Sequence, residues 1–169
     1  MASELPHECL RLLKDQDGVI TVGQAASAGM PAKAVRAQVR AGRWQVMQRG
    51  VYAAFTGEPP RRSELWAVVL RVGPEDAVLS HQSAAELWGL VNRPSPIIHV
   101  TVPHECTPER HGQIPGIVIH RSRSLPLTRH PVLTPPRTRV EETVLDLIDC
   151  ARNFDEAYDW ICRAIGRRR

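Results

Sequence analysis

Between Thr21 and Ala54 the turn residues are spaced so closely that only short elements fit between them. Gly29 separates two runs that are each long enough for a small helix, Pro31 opens the second run and Gly42 closes it, and Arg49-Gly50 splits the β-prone stretch that follows. Thr21 can cap the first of these helices, from about Val22 to Ala28, its hydroxyl accepting an orphan backbone N–H. Gly29 ends that helix, because a left-handed residue is easily taken by glycine. Pro31 suits the first turn of the next helix, which runs to about Ala41. A short helix, a turn containing glycine and a second helix form a helix-turn-helix layout. The runs Arg43–Gln48 and Val51–Ala54, joined by two residues, read as a hairpin. Upstream, Leu5, Cys9, Leu12 and Leu13 recur at helical spacing between Glu4 and Lys14, with Asp17-Gly18 as the stop. Helix, short apolar step, helix, helix and hairpin together predict a winged helix-turn-helix over residues 4–54.

Charge points the same way. Between Gly18 and Gly57 the chain carries five cations, Lys33, Arg36, Arg40, Arg43 and Arg49, and no Asp or Glu. The net charge of +4 comes from 22 basic and 18 acidic residues, so outside this segment 17 basic residues face 18 acidic ones. Neutralising phosphates releases counterions and drives nucleic-acid binding, and a basic module of this shape fits that role. A solvated basic face without a partner is the alternative. On the second helix Lys33, Arg36 and Arg40 fall within about 60° of one another, while Val35 and Val39 point to a neighbouring face suited to packing. Arg36 and Arg40 are the base-reading candidates, since arginine bonds bidentately to guanine. Lys33, near the helix start, is expected to position the backbone, and Arg43 and Arg49, the last at the tip of the hairpin, to contact phosphates or the minor groove. Gln38 lies off the stripe, and Trp44 is expected in the core.

Thr56–Pro60 has the composition of a linker, and a second, mixed helix-and-strand domain is expected over 61–165, making the chain α+β. Arg61–Val72 reads as an amphipathic helix closed by Gly73-Pro74, and Ser80 as the cap of a helix from His81 to Trp88. Ile97–Val102, Gly116–His120 and Pro131–Thr134 read as strands. Pro135-Pro136 opens a helical stretch through Val140, Val144, Leu145 and Ile148, which Phe154–Ile165 continues. Glu141, Glu142, Asp146 and Asp149 form an acidic helical face expected to be exposed.

Several chemistries are disfavoured. The four cysteines, Cys9, Cys106, Cys150 and Cys162, form no C-x-x-C pair, which argues against a zinc ribbon or thioredoxin-like site. His104, Cys106 and His111 sit in a proline-broken loop without a fourth ligand at a familiar spacing, so no metal and no cofactor is expected. Ser80, His81 and Ser83 resemble a nucleophile-and-base group but have no acid in fixed relation to them, and no catalytic residue is expected. His99 and His120 are expected to approach each other across paired strands in a structural role. No apolar run reaches membrane-spanning length, and the N-terminus lacks a signal-peptide layout, so a cytoplasmic protein is expected. The terminal Arg167-Arg168-Arg169 would add non-specific DNA affinity or be a frayed end.

The ordered series Gly18-Val-Ile-Thr21, Gln24-Ala-Ala26, Gly42-Arg-Trp44, Gln48-Arg-Gly-Val-Tyr52, Leu79-Ser-His-Gln-Ser-Ala-Ala85, Trp88-Gly-Leu90, His99-Val-Thr-Val-Pro103, Pro115-Gly-Ile-Val-Ile-His-Arg-Ser122, Thr134-Pro-Pro-Arg-Thr138 and Val144-Leu-Asp-Leu147 resembles the AbiEi family of antitoxins of type IV toxin–antitoxin systems, in its actinobacterial form. The resemblance spans about residues 4–150. It implies an N-terminal winged helix that binds double-stranded operator DNA and represses its own operon. It also implies a following α/β region that counters a nucleotidyltransferase-like toxin without a stable complex. Chains of this kind usually continue further, some into a Vsr-like endonuclease domain. This sequence ends at Arg169 and shows no Asp…Glu-x-Lys nuclease constellation. The other functional expectations are a DNA-targeting fragment of an endonuclease-associated protein and a toxin-binding interaction module.

Overall fold

In the computed structural model, which describes residues 5–73, 75–106 and 113–166, the chain divides into two units, Met1–Pro74 and Glu75–Arg169. The first unit runs α1 (His7–Asp15), β1 (Val19–Thr21), α2 (Val22–Ser27), α3 (Ala32–Arg40), β2 (Gln45–Gln48), β3 (Val51–Ala53) and α4 (Arg61–Val72). Thr21 caps α2 as its sequence position predicts. Its Oγ1 accepts the Gln24 N–H at 3.0 Å, and Gln24 Oε1 accepts the Thr21 N–H at 3.0 Å, a reciprocal box that satisfies two orphan donors. Gln24 Nε2 also donates to Oε1 of the buried Gln16 at 3.0 Å, fastening the end of α1 to the start of α2. Cys9 and Leu13 of α1, Ile20 of β1, Ala25 of α2, Met30, Val35 of α3 and Trp44 pack as one core. Trp44 is 5% exposed.

The three strands form an antiparallel sheet in the order β1-β3-β2. Gln48 pairs with Val51, which leaves Arg49-Gly50 as a two-residue turn, and Gly50 takes φ 79°. Its carbonyl accepts the Val22 N–H at 3.0 Å, so the hairpin turn is fastened to the first residue of α2.

Helix α4 has the expected bounds, but it packs on β1, β2 and β3. Ser63 Oγ donates to the Asp17 carbonyl at 2.7 Å, and Arg62 pairs with the Asp17 carboxylate at 3.1 Å. The chain therefore divides after α4, and the Thr56–Pro60 stretch is a loop inside the first unit. Leu65, Trp66, Ala67, Val68, Val69, Leu70 and Val72 are all buried, so α4 is a core helix and not an amphipathic one.

The second unit holds β4 (Val78–Leu79), α5 (His81–Leu87), β5 (Ile98–Pro103), β6 (Ile117–Ser122), α6 (Leu125–Thr128), α7 (Val140–Asp149) and α8 (Phe154–Gly166). β5 is central, antiparallel to β4 and parallel to β6. The expected strand at Pro131–Thr134 is absent. His130 Nδ1 accepts the N–H groups of Val132 and Leu133 at 3.4 and 3.1 Å, and such local bonds compete with a ladder. The sheet is extended instead at Pro136–Thr138: the Leu79 N–H donates to the Pro136 carbonyl at 2.8 Å and the Thr138 N–H to the Leu79 carbonyl at 2.9 Å. That segment is extended, so α7 begins at Val140 and not at the proline pair.

Arg137, 5% exposed, lies with its guanidinium 5.5 Å from the Trp88 ring centroid and donates to the Leu87 and Thr134 carbonyls at 3.2 and 2.8 Å. Trp88 Nε1 donates to the Thr138 carbonyl at 3.0 Å. Ala85, Leu90, Leu147 and Trp160 form the core between α5, α7 and α8.

Candidate nucleic-acid interface

Helix α3 has two distinct sides. Val35 is fully buried and Val39 packs against the core, while Lys33, Arg36 and Arg40 are exposed along one stripe. Arg43, just beyond the helix, and Arg49, in the hairpin turn, are exposed as well. Among the described residues none of the five forms an ion pair. Asp17, the acid that precedes this segment, is engaged by Arg62. The positive charge of the segment is therefore not cancelled internally. Arg43 Nε donates to Gln38 Oε1 at 2.6 Å, so Gln38 helps to fix Arg43. The arrangement presents two guanidinium forks and an ammonium on one helical stripe, with two further guanidinium groups after it.

Elsewhere the structure rearranges the expectations. Ser80 precedes α5 but makes no side-chain cap. Its hydroxyl accepts from Thr101 Oγ1 at 2.8 Å and lies 3.0 Å from His81 Nδ1. Asp146 Oδ2 lies 3.6 Å from that same Nδ1. A nucleophile-base-acid relay needs the hydroxyl and the carboxylate on opposite ring nitrogens, and Ser80 is fully buried. The group is not arranged for nucleophilic attack. Asp146, like Glu142, is only part-exposed: burial raises the Asp146 pKa to about 6, opposed by the hydrogen bond it accepts from the His81 backbone N–H.

His99 and His120 do meet across β5 and β6, with Nδ1 and Nε2 3.0 Å apart. His81 joins them, a third member that sequence reasoning did not place there. The motifs Leu79–Ala85, His99–Pro103 and Pro115–Ser122 each carry one of the three, which is the signal that could have found the group. His104 is exposed, while His111 and Arg167–Arg169 lie outside the described residues.

Residues 8–54 match the family model of the AbiEi antitoxin transcriptional regulators. The AbiEi match runs from α1 to the end of β3 and includes all five cations, while α4 and the second unit lie beyond it. Among curated proteins none is similar to this chain. Among solved structures, the crystal structure of the RV2827C protein from Mycobacterium tuberculosis aligns with 92% of this chain and 73% of its own, at 17% identity and a TM-score of 0.47. No helix among the described residues is long and apolar enough to cross a membrane.

Proposed function

We propose that the first unit is a winged helix-turn-helix that binds double-stranded operator DNA, and that the protein is an autoregulating repressor of the AbiEi antitoxin kind in a type IV toxin–antitoxin system. The observation that carries this reading is the exposed, acid-free row of Lys33, Arg36 and Arg40 on α3, continued by Arg43 and Arg49. Helix α3 enters a major groove, where Arg36 and Arg40 read base edges and Lys33 meets a phosphate. Arg43 and Arg49 grip the flanking backbone or minor groove. Repression is steric, through occupation of the promoter, and needs no cofactor. The cognate toxin is a nucleotidyltransferase-like protein, countered functionally and not through a lasting complex.

The test is selection of bound sequences from random DNA and from the protein's own promoter, followed by salt titration of the best site. A preferred motif in that promoter supports the reading. Salt-sensitive binding with no preferred motif, or no binding, removes the operator-reading role.

A further inference from the structure

Three imidazoles from three separate elements meet in the second unit. His99 stands on β5 and His120 on β6, where the parallel register pairs His99 with Val118 and Thr101 with His120. The two histidines are thus diagonal neighbours on one face of the sheet. His81 stands where the chain passes from β4 into α5, with a left-handed φ of 48°. Its ring stacks on His120 at a centroid distance of 3.8 Å and 12° between planes, with His99 5.4 Å away. One nitrogen from each ring lies within 4.8 Å of the other two.

We propose that His81, His99 and His120 are the protein ligands of a divalent transition-metal ion, with zinc the best fit. A set of three nitrogens without a carboxylate or thiolate selects zinc, copper, iron or nickel over magnesium and calcium. Three protein ligands and an open fourth position are a zinc arrangement. Zinc–nitrogen bonds of about 2.0–2.1 Å place tetrahedral ligand atoms about 3.3 Å apart, and His99 Nδ1 and His120 Nε2 already stand at 3.0 Å. Binding requires the rings to turn out of their near-parallel stack so that the three lone pairs converge.

The surroundings of His81 fit the same role. Its Nδ1 is hydrogen-bonded with Ser80 Oγ at 3.0 Å, and the Asp146 carboxylate, 3.6 Å from that nitrogen, accepts the His81 backbone N–H. A hydrogen bond on one ring nitrogen fixes the orientation and tautomer of a metal-bound histidine and leaves the other nitrogen as the ligand. Ser83 Oγ accepts the His99 N–H at 2.9 Å, holding that strand residue against α5. Burial is the main cause that holds all three imidazoles below their ordinary pKa, His81 at about 4.

The test is titration of the chelator-treated full chain with Co2+ and then Zn2+. The expected result is one equivalent bound, with visible cobalt d–d bands that Zn2+ abolishes. Zinc should also move the ring C–H NMR signals of three of the seven histidines. A His99→Gln, His120→Gln double variant should lose uptake, and His104→Ala should retain it. Failure of stoichiometric zinc to move three histidine signals in the unaltered protein overturns the proposal, whether or not the double variant folds. Undiminished uptake by a folded double variant overturns it as well.

Discussion

Replacing Arg36 and Arg40 together by alanine separates DNA reading from folding. Both side chains are exposed and neither has an ion-pair partner among the described residues, and alanine is the best helix former. The fold should therefore keep its stability to within about 0.5 kcal/mol. Each bidentate arginine–guanine pair contributes about 1–3 kcal/mol of discrimination, so losing two removes about 2–6 kcal/mol. That corresponds to a loss of operator affinity between roughly 30-fold and about 10⁴-fold. Fluorescence anisotropy at one fixed salt concentration, with the selected operator and a scrambled duplex, reads the difference directly. The gap between the two duplexes should nearly close in the double variant while its melting temperature stays put. A double variant that melts normally and still discriminates as the parent does would place sequence reading on some other element and refute the role given to α3.

Lys33→Ala should weaken binding to operator and scrambled duplex alike, and flatten the slope of log K against log salt by about 1. Gly18→Ala and Gly50→Ala both force alanine into a left-handed backbone, at φ 84° and 79°. At Gly50 nothing lies within 4 Å of the added methyl, so only the backbone penalty of about 1–2 kcal/mol applies. At Gly18 the methyl would also fall 2.9 Å from Phe55 Cε1, and overpacking adds about 1–3 kcal/mol; urea unfolding should rank Gly18→Ala clearly below Gly50→Ala. Arg137→Met removes the charged donor from the Leu87 and Thr134 carbonyls, and should lower stability by about 2–4 kcal/mol in denaturant unfolding. Arg137→Lys should recover only part of this, because an ammonium lacks the guanidinium fork that serves two carbonyls.

What could be read in advance was local. Thr21, Gly29, Gly42 and Gly50 mark their turns through backbone chemistry that involves only near neighbours, and the bounds of α4 follow from Pro60 before it and Gly73 after it. What α4 packs against depends on strands far away in sequence, so its place in the first unit was not legible, and the proline-rich loop before it suggested a boundary that the packing does not respect. β4 has two residues and exists because Thr101 and Val100 pair with it. The five cations of α3, its flank and the hairpin were visible because the missing acids are a property of composition. The histidine trio was half visible: alternating strand residues suggest His99 near His120, but His81 arrives through a backbone elbow whose direction only the folded unit sets.

The hydrogen bond from the Val22 N–H to the Gly50 carbonyl has a mechanical consequence. With β3 paired to β1 and the hairpin tip bonded to the start of α2, movement of the tip is tied to that of α2. Such a unit acts as a caliper. On the proposed operator role, a duplex held by both α3 and Arg49 would have to match the spacing between them, so stiff and compliant sequences would be held unequally even where their contacted bases are identical.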